Sequence, residues 1–66
     1  MARQGVIFEI TRIGGSMKMT AIDPVTLVEV SVVGPAHWDE STLRRNAMRK
    51  LEAALARRHE GGDDRR

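Results

Sequence analysis

The sequence predicts a small α+β domain, a three-stranded antiparallel β-meander packed on one C-terminal α-helix in the order β-β-β-α. Three observations predict it. Apolar and polar side chains alternate in three short runs over residues 6–33, which is the pattern of strands. Two turn sequences, Gly14-Gly15 and Asp23-Pro24-Val25-Thr26, separate these runs. Residues 39–59 instead repeat apolar side chains at helical spacing.

The first predicted hairpin joins Val6–Ile13 to Ser16–Asp23 through Gly14-Gly15. Glycine accepts the positive φ that a two-residue hairpin turn demands. If the two glycines form the loop, the numbers of opposite residues sum to 29. Phe8 then faces Ala21, and both side chains lie on the same face of the sheet.

The second predicted turn is centred on Pro24-Val25, because aspartate suits the first position of a turn and proline presets φ at the second. The third strand then runs over Leu27–Val33, and Gly34-Pro35 ends it. In this register the numbers of opposite residues sum to 49, so Ile22 faces Leu27.

The predicted helix runs from Asp39 to about His59 and begins with an aspartate that can serve as N-cap. Trp38 and Leu43 stand at the positions of a hydrophobic staple, although a tryptophan can also anchor a partner. The helix has one apolar stripe, and one face of the sheet collects nine apolar residues with Arg12 at its end, which favours the register. The sheet face holds Val6, Phe8, Ile10, Met17, Met19, Ala21, Val28, Val30 and Val32, and the stripe holds Leu43, Ala47, Leu51, Ala54 and Leu55.

The 66 residues allow one domain, predicted over residues 5–60, with tails at 1–4 and 61–66. A chain of this size buries only about 60% of the surface that it exposes when unfolded, so its stability is marginal. There is no cysteine, which excludes disulfides and thiolate metal sites, and with His37 and His59 as the only histidines we expect no metal and no other cofactor. Self-association is the remaining extra source of stability.

Most functional classes are not favoured by this composition. No constellation of titratable residues indicates catalysis, so we expect a non-enzymatic protein without catalytic, cofactor-binding or small-molecule sites. No segment approaches the roughly 20 apolar residues that a membrane span needs, and no stretch reads as an export signal. The expected location is therefore the cytoplasm, without membrane contact.

The apolar ends of the other sheet face are the candidate protein interface. In the predicted register Ile7 faces Ile22 and Ile22 faces Leu27, which makes one contiguous row. Single exposed apolar residues need no explanation, but a row of three in so small a domain indicates a contact surface. We expect it to bind a protein partner or to form a homo-oligomer, with ordinary scattered exposure as the alternative.

The helix offers a second hypothesis, weak nucleic-acid binding through Arg45 and Arg49, which point outward on a helical wheel. Glu52 shares this face and can pair with Arg49, which instead favours a solvated and partly neutralised helix. DNA reading by the sheet is not expected, because its open face offers one lysine against two glutamates.

Stretches of all three strands and the first turn carry a family resemblance: Phe8-Glu9, Gly14, Lys18–Asp23 and Glu29–Pro35. With the Leu- and Arg-rich helix they resemble an uncharacterised family of short bacterial proteins classed as a domain of unknown function, over residues 5–58. Similar sequences tend to carry glycine where this chain has Leu27. Some carry the name serine hydroxymethyltransferase, but 66 residues cannot hold a pyridoxal phosphate site with its lysine and phosphate cup. The resemblance implies no activity and no functional residues.

Overall fold

One antiparallel sheet and one helix account for the fold, as predicted. A computed structural model describes residues 5–61, with side chains over residues 5–58. The elements are β1 (Ile7–Ile13), β2 (Ser16–Ile22), β3 (Glu29–Pro35) and α1 (Glu40–Gly61). The strands pair in the order β1-β2-β3, and the helix follows them, so the predicted β-β-β-α architecture is confirmed.

The first hairpin has the predicted register. Phe8 faces Ala21 and Ile13 faces Ser16, on either side of a two-residue loop. Gly14 has a φ of 57°, whereas Gly15 does not take a positive φ. A positive φ at the first central residue alone is the signature of a type II′ turn, whose twist suits two antiparallel strands.

The predicted register of the second hairpin is wrong by two residues. Ile22 faces Glu29, so that the numbers of opposite residues sum to 51 rather than 49. The N–H of Asp23 donates to the C=O of Val28 at 2.9 Å, which leaves a four-residue loop between them. A shift of two keeps each side chain on its predicted face, because side chains alternate with a period of two. It moves Leu27 out of the third strand and into the loop.

The carboxylate of Asp23, which is only 2% exposed, organises this longer loop. Its Oδ2 accepts hydrogen bonds from the N–H of Thr26 at 3.1 Å and from Thr26 Oγ1 at 2.7 Å. The N–H of Leu27 donates to the C=O of Asp23 at 2.7 Å, and the N–H of Val28 donates to Thr26 Oγ1 at 3.2 Å. Aspartate and threonine often satisfy nearby backbone groups in this way, and here their bonds select the four-residue loop.

Leu27 has a φ of 65° and is the one non-glycine residue with a positive φ in the described chain. This conformation costs an L-residue about 1–2 kcal/mol, and a side chain that is 73% exposed gains little packing. We expect Leu27→Gly to raise the free energy of unfolding by about 0.5–1 kcal/mol, because the relief of strain exceeds the added freedom of an unfolded glycine. Thermal denaturation followed by circular dichroism should give a Tm several degrees higher. Leu27→Ala, which keeps the strain, is the control, and a lower Tm for Leu27→Gly would argue against strain at this position.

The helix packs across β2 and β3 and covers the apolar face of the sheet. Every residue predicted for that face belongs to the core or packs against it, and so do four of the five predicted stripe residues, Leu43, Ala47, Leu51 and Leu55. The predicted core is therefore confirmed. Its most buried members are Met17, Met19, Ala21, Leu43, Ala47 and Leu51.

The helix begins directly after Asp39, the predicted N-cap. The C=O of Asp39 accepts the N–H groups of Thr42 at 3.1 Å and Leu43 at 3.3 Å. The helix continues to Gly61, one residue beyond the predicted end of the domain. The predicted N-terminal tail and the rest of the predicted C-terminal tail lie outside the described residues.

Candidate functional site

The predicted interface row is only partly present. Ile7 lies opposite Ile22, as predicted, and is 48% exposed. The position beyond Ile22 is occupied by Glu29, while Leu27 lies in the loop. The row of three is therefore wrong at its third member, because the bonds around Asp23 lengthen the loop by two residues.

The open face of the sheet has a polar centre and apolar ends. In the centre Thr20 Oγ1 and Ser31 Oγ are 2.8 Å apart and share a hydrogen bond. At the end opposite Ile7, Ile13 and Val33 are each 65% exposed. The apolar surface is thus split into two small groups, neither of which is a large patch by itself.

The arginines of the second hypothesis lie on the exposed side of the helix. Arg45 and Arg49 are both exposed. The Nη2 of Arg49 donates to Asn46 Oδ1 at 3.2 Å, and the pair with Glu52 that the sequence allowed does not form among the described residues. Weak nucleic-acid binding through these arginines stays a prediction.

A third arginine, Arg44, closes the side of the core next to β1. Its Cζ lies 5.5 Å from the centroid of the Phe8 ring, within the range of a cation–π contact. Its Nη2 lies 3.9 Å from Glu40 Oε2, one helical turn earlier. This guanidinium already has an aromatic ring and a carboxylate as neighbours.

Trp38 packs against the backbone of β3 at Gly34. A Cβ added to Gly34 would lie 2.8 Å from Trp38 Cε3 and 3.0 Å from Leu43 Cδ2. The indole and Leu43 therefore meet at the same point of the strand, which supports the staple interpretation of Trp38.

In each strand, alternate residues direct their N–H and C=O groups to opposite sides. Which residues bond to a neighbouring strand therefore determines which backbone groups face the two outer edges of the sheet. Asp23 donates to Val28, and the N–H of Ala36 donates to the C=O of Gly15 at 2.8 Å. Odd-numbered residues of β2 therefore bond to β3, so its even-numbered residues bond to β1. The two-residue loop gives the same phase, because its flanking residues, Ile13 and Ser16, form a hydrogen-bonded pair.

The outer edge of β3 is blocked at two points. Its outward-facing residues have odd numbers, and among them the C=O of Ser31 accepts a hydrogen bond from Lys50 Nζ at 2.8 Å. Pro35 faces the same edge and has no N–H to offer. A lysine and a proline at an edge are devices by which natural sheets prevent further strand pairing.

The outer edge of β1 carries no such block in the described chain. The N–H and C=O groups of Phe8, Ile10 and Arg12 face this edge. Within residues 5–61 no backbone or side-chain group hydrogen-bonds to them. Such an edge is a template for another strand. The sequence alone does not show which of the two edges is open, because that depends on which residues of each strand form the hydrogen bonds.

Other chemistry is not visible in the described part of the chain. It contains no group of three or more His, Cys, Asp or Glu residues that could hold a metal ion. His37 is exposed, and the side chain of His59 lies outside the described residues. The helix lacks the combination of length and apolar character that crossing a membrane requires.

The fold and its surfaces define a two-layer α+β domain with an open sheet face and one open sheet edge. A family model described as Domain of unknown function (DUF6898) matches residues 3–58, and the chain belongs to this family. The resemblance to an uncharacterised family is thereby confirmed, while the bacterial origin that it implied stays a prediction. No curated protein and no solved structure matches the chain.

Proposed function

We propose that this domain is a non-enzymatic protein-interaction module that binds an extended segment of its partner at the β1 edge. The contrast between the two sheet edges carries the proposal, because β3 is blocked by Lys50 and Pro35 and β1 is not. In strand addition, main-chain hydrogen bonds supply affinity, and alternate side chains supply specificity.

Apolar side chains flank the β1 edge on both faces of the sheet. Phe8 and Ile10 are half-buried on the helix side, and Ile7 and Ile13 are exposed on the open side. Complete burial of one such side chain contributes about 1.5–3 kcal/mol. Because α1 lies over β2 and β3, it leaves space beside β1 for an added strand.

The proposed surface keeps part of the interface predicted from the sequence. Ile7 and its neighbour Ile22 remain at the contact, whereas Leu27 lies in the loop after β2 and is not part of it. We also propose a cytoplasmic location, which the cysteine-free composition supports and cell fractionation tests.

Proline substitutions at two neighbouring residues separate the open edge from the internal ladder. Arg12→Pro removes an N–H that faces the edge, a position where strands tolerate proline. We expect this variant to keep its circular dichroism spectrum and to lose partner binding. Thr11→Pro removes an N–H that bonds to β2, so we expect it to unfold. Arg12→Ala, which keeps the N–H, controls for the loss of the side chain.

Affinity capture from native-cell lysate, with and without nuclease, measures the binding. We expect a stoichiometric protein that survives nuclease, is captured by wild type and Arg12→Ala, and is lost with Arg12→Pro. Equal capture by Arg12→Pro would refute strand addition. Capture that nuclease abolishes, and that Arg45→Glu/Arg49→Glu also abolishes, would favour the nucleic-acid hypothesis instead.

A further inference from the structure

Building on the proposed strand addition, we infer that the added strand is β1 of a second copy, paired antiparallel about a twofold axis at Ile10. Two identical edge strands related by such an axis present the same face of each sheet on the same side. Opposite side chains share a face, so the numbers of opposite residues must have an even sum. The pairing centred on Ile10 has a sum of 20 and satisfies this condition.

The backbone groups that face the edge are those that this pairing needs. Ile10 lies opposite Ile10 of the second copy, and Phe8 lies opposite Arg12. All three residues direct their N–H and C=O groups outward, so each opposite pair can exchange both of its hydrogen bonds. The dimer therefore satisfies the backbone groups that are unpaired in the described chain.

The exposed side chains of the open face also match in this register. Ile7 lies opposite Ile13 of the second copy, and these side chains are 48% and 65% exposed in the single chain. Ile22 lies beside Ile7, so three isoleucines from two copies form one cluster at each end of the contact. Between the clusters, the hydroxyl of Thr11 can donate to the carboxylate of Glu9.

The helix side accommodates the second copy as well. Ile10 packs on its equivalent, and the alkyl stem of Arg12 can cover the exposed part of the half-buried Phe8 ring. The helix lies over β2 and β3, so β1 separates the two helices of the dimer.

The neighbouring registers match less well. The register in which the numbers of opposite residues sum to 18 places Glu9 opposite Glu9, where like charges repel, and Ile7 opposite Thr11. A sum of 22 places Glu9 against Ile13 and Ile10 against Arg12. The register centred on Ile10 is the one of the three that pairs the exposed isoleucines with each other.

Association through β1 stops at two copies. The dimer uses both β1 edges and leaves the two β3 edges outermost, where Lys50 and Pro35 block further pairing. The open β1 edge therefore binds one partner strand. The blocked β3 edges prevent the sheet from growing into a fibre.

Disulfide trapping tests the register, because the chain has no cysteine of its own. Glu9 and Thr11 are exposed on the open face, and the inferred register places them opposite each other in a non-hydrogen-bonded pair. The Cα atoms of such a pair are about 4.5 Å apart, which a disulfide can bridge. We expect Glu9→Cys and Thr11→Cys, mixed in denaturant and refolded under mild oxidation, to form a cross-linked dimer that neither variant forms alone.

Each other outcome overturns part of the inference. A disulfide-linked dimer of the Glu9→Cys variant alone would establish the register in which the numbers of opposite residues sum to 18. A linked dimer of the Thr11→Cys variant alone would establish the register in which they sum to 22. Lys18→Cys is the control, because Lys18 lies on β2 opposite Thr11. If Glu9→Cys cross-links to Lys18→Cys as well as it does to Thr11→Cys, the contact is not the β1 edge. No link in any mixture refutes self-pairing, while loss of capture in Arg12→Pro would still support binding of a different partner at this edge.

Discussion

Gly34→Ala is expected to destabilise the domain by about 1–3 kcal/mol, the typical cost of overpacking a core. The added Cβ would stand 2.8 Å from Trp38 Cε3 and 3.0 Å from Leu43 Cδ2, too close for either contact to persist. A domain of 66 residues has roughly 3–10 kcal/mol of stability in total, and a chain this short lies near the lower end. The substitution should therefore remove a large share of the folded population.

Gly15→Ala is the matched control, because a Cβ at Gly15 meets no atom within 4 Å and its φ is not positive. We expect this variant to be neutral or slightly more stable. Urea denaturation can be followed by the fluorescence of Trp38, the only tryptophan. An unchanged midpoint for Gly34→Ala would show that the indole does not pack on β3 as described.

The core could be predicted from the sequence even though one register could not. Gly14-Gly15 fixes the first hairpin, because a two-residue glycine loop admits a single pairing. The second turn depends on the hydrogen bonds between Asp23 and Thr26, which turn propensities do not reveal. The resulting shift of two residues leaves each side chain on its predicted face of the sheet, so the predicted apolar face is still correct.

The candidate site was harder to predict for a related reason. The row containing Leu27 depended on the predicted register of the second hairpin, which is wrong. The pair of Ile7 and Ile22 depended on the predicted register of the first hairpin, which is confirmed. Predicting the difference between the two edges requires knowing which residues form the hydrogen bonds between strands and where α1 lies. Lys50 reaches the C=O of Ser31 only because the helix lies over β3. One signal was available in the sequence, namely the isoleucines at both ends and at the centre of β1.

Amide hydrogen exchange across a range of protein concentrations tests the pairing of two β1 strands most directly, and it requires no substitution. The amide of Ile10 faces the open edge, whereas those of Glu9 and Thr11 bond to β2. We expect exchange at Ile10 to slow about tenfold once about nine-tenths of the chains are paired, because only the unpaired fraction then exchanges freely.

Two internal references accompany this measurement. The amides of Glu9 and Thr11 should be protected at every concentration, and that of Val33, on the blocked edge, should exchange rapidly at every concentration. Slowing at Ile10 with no change at Val33 would establish that copies of the chain meet at β1. An Ile10 amide that exchanges as fast at the highest concentration as at the lowest would contradict it.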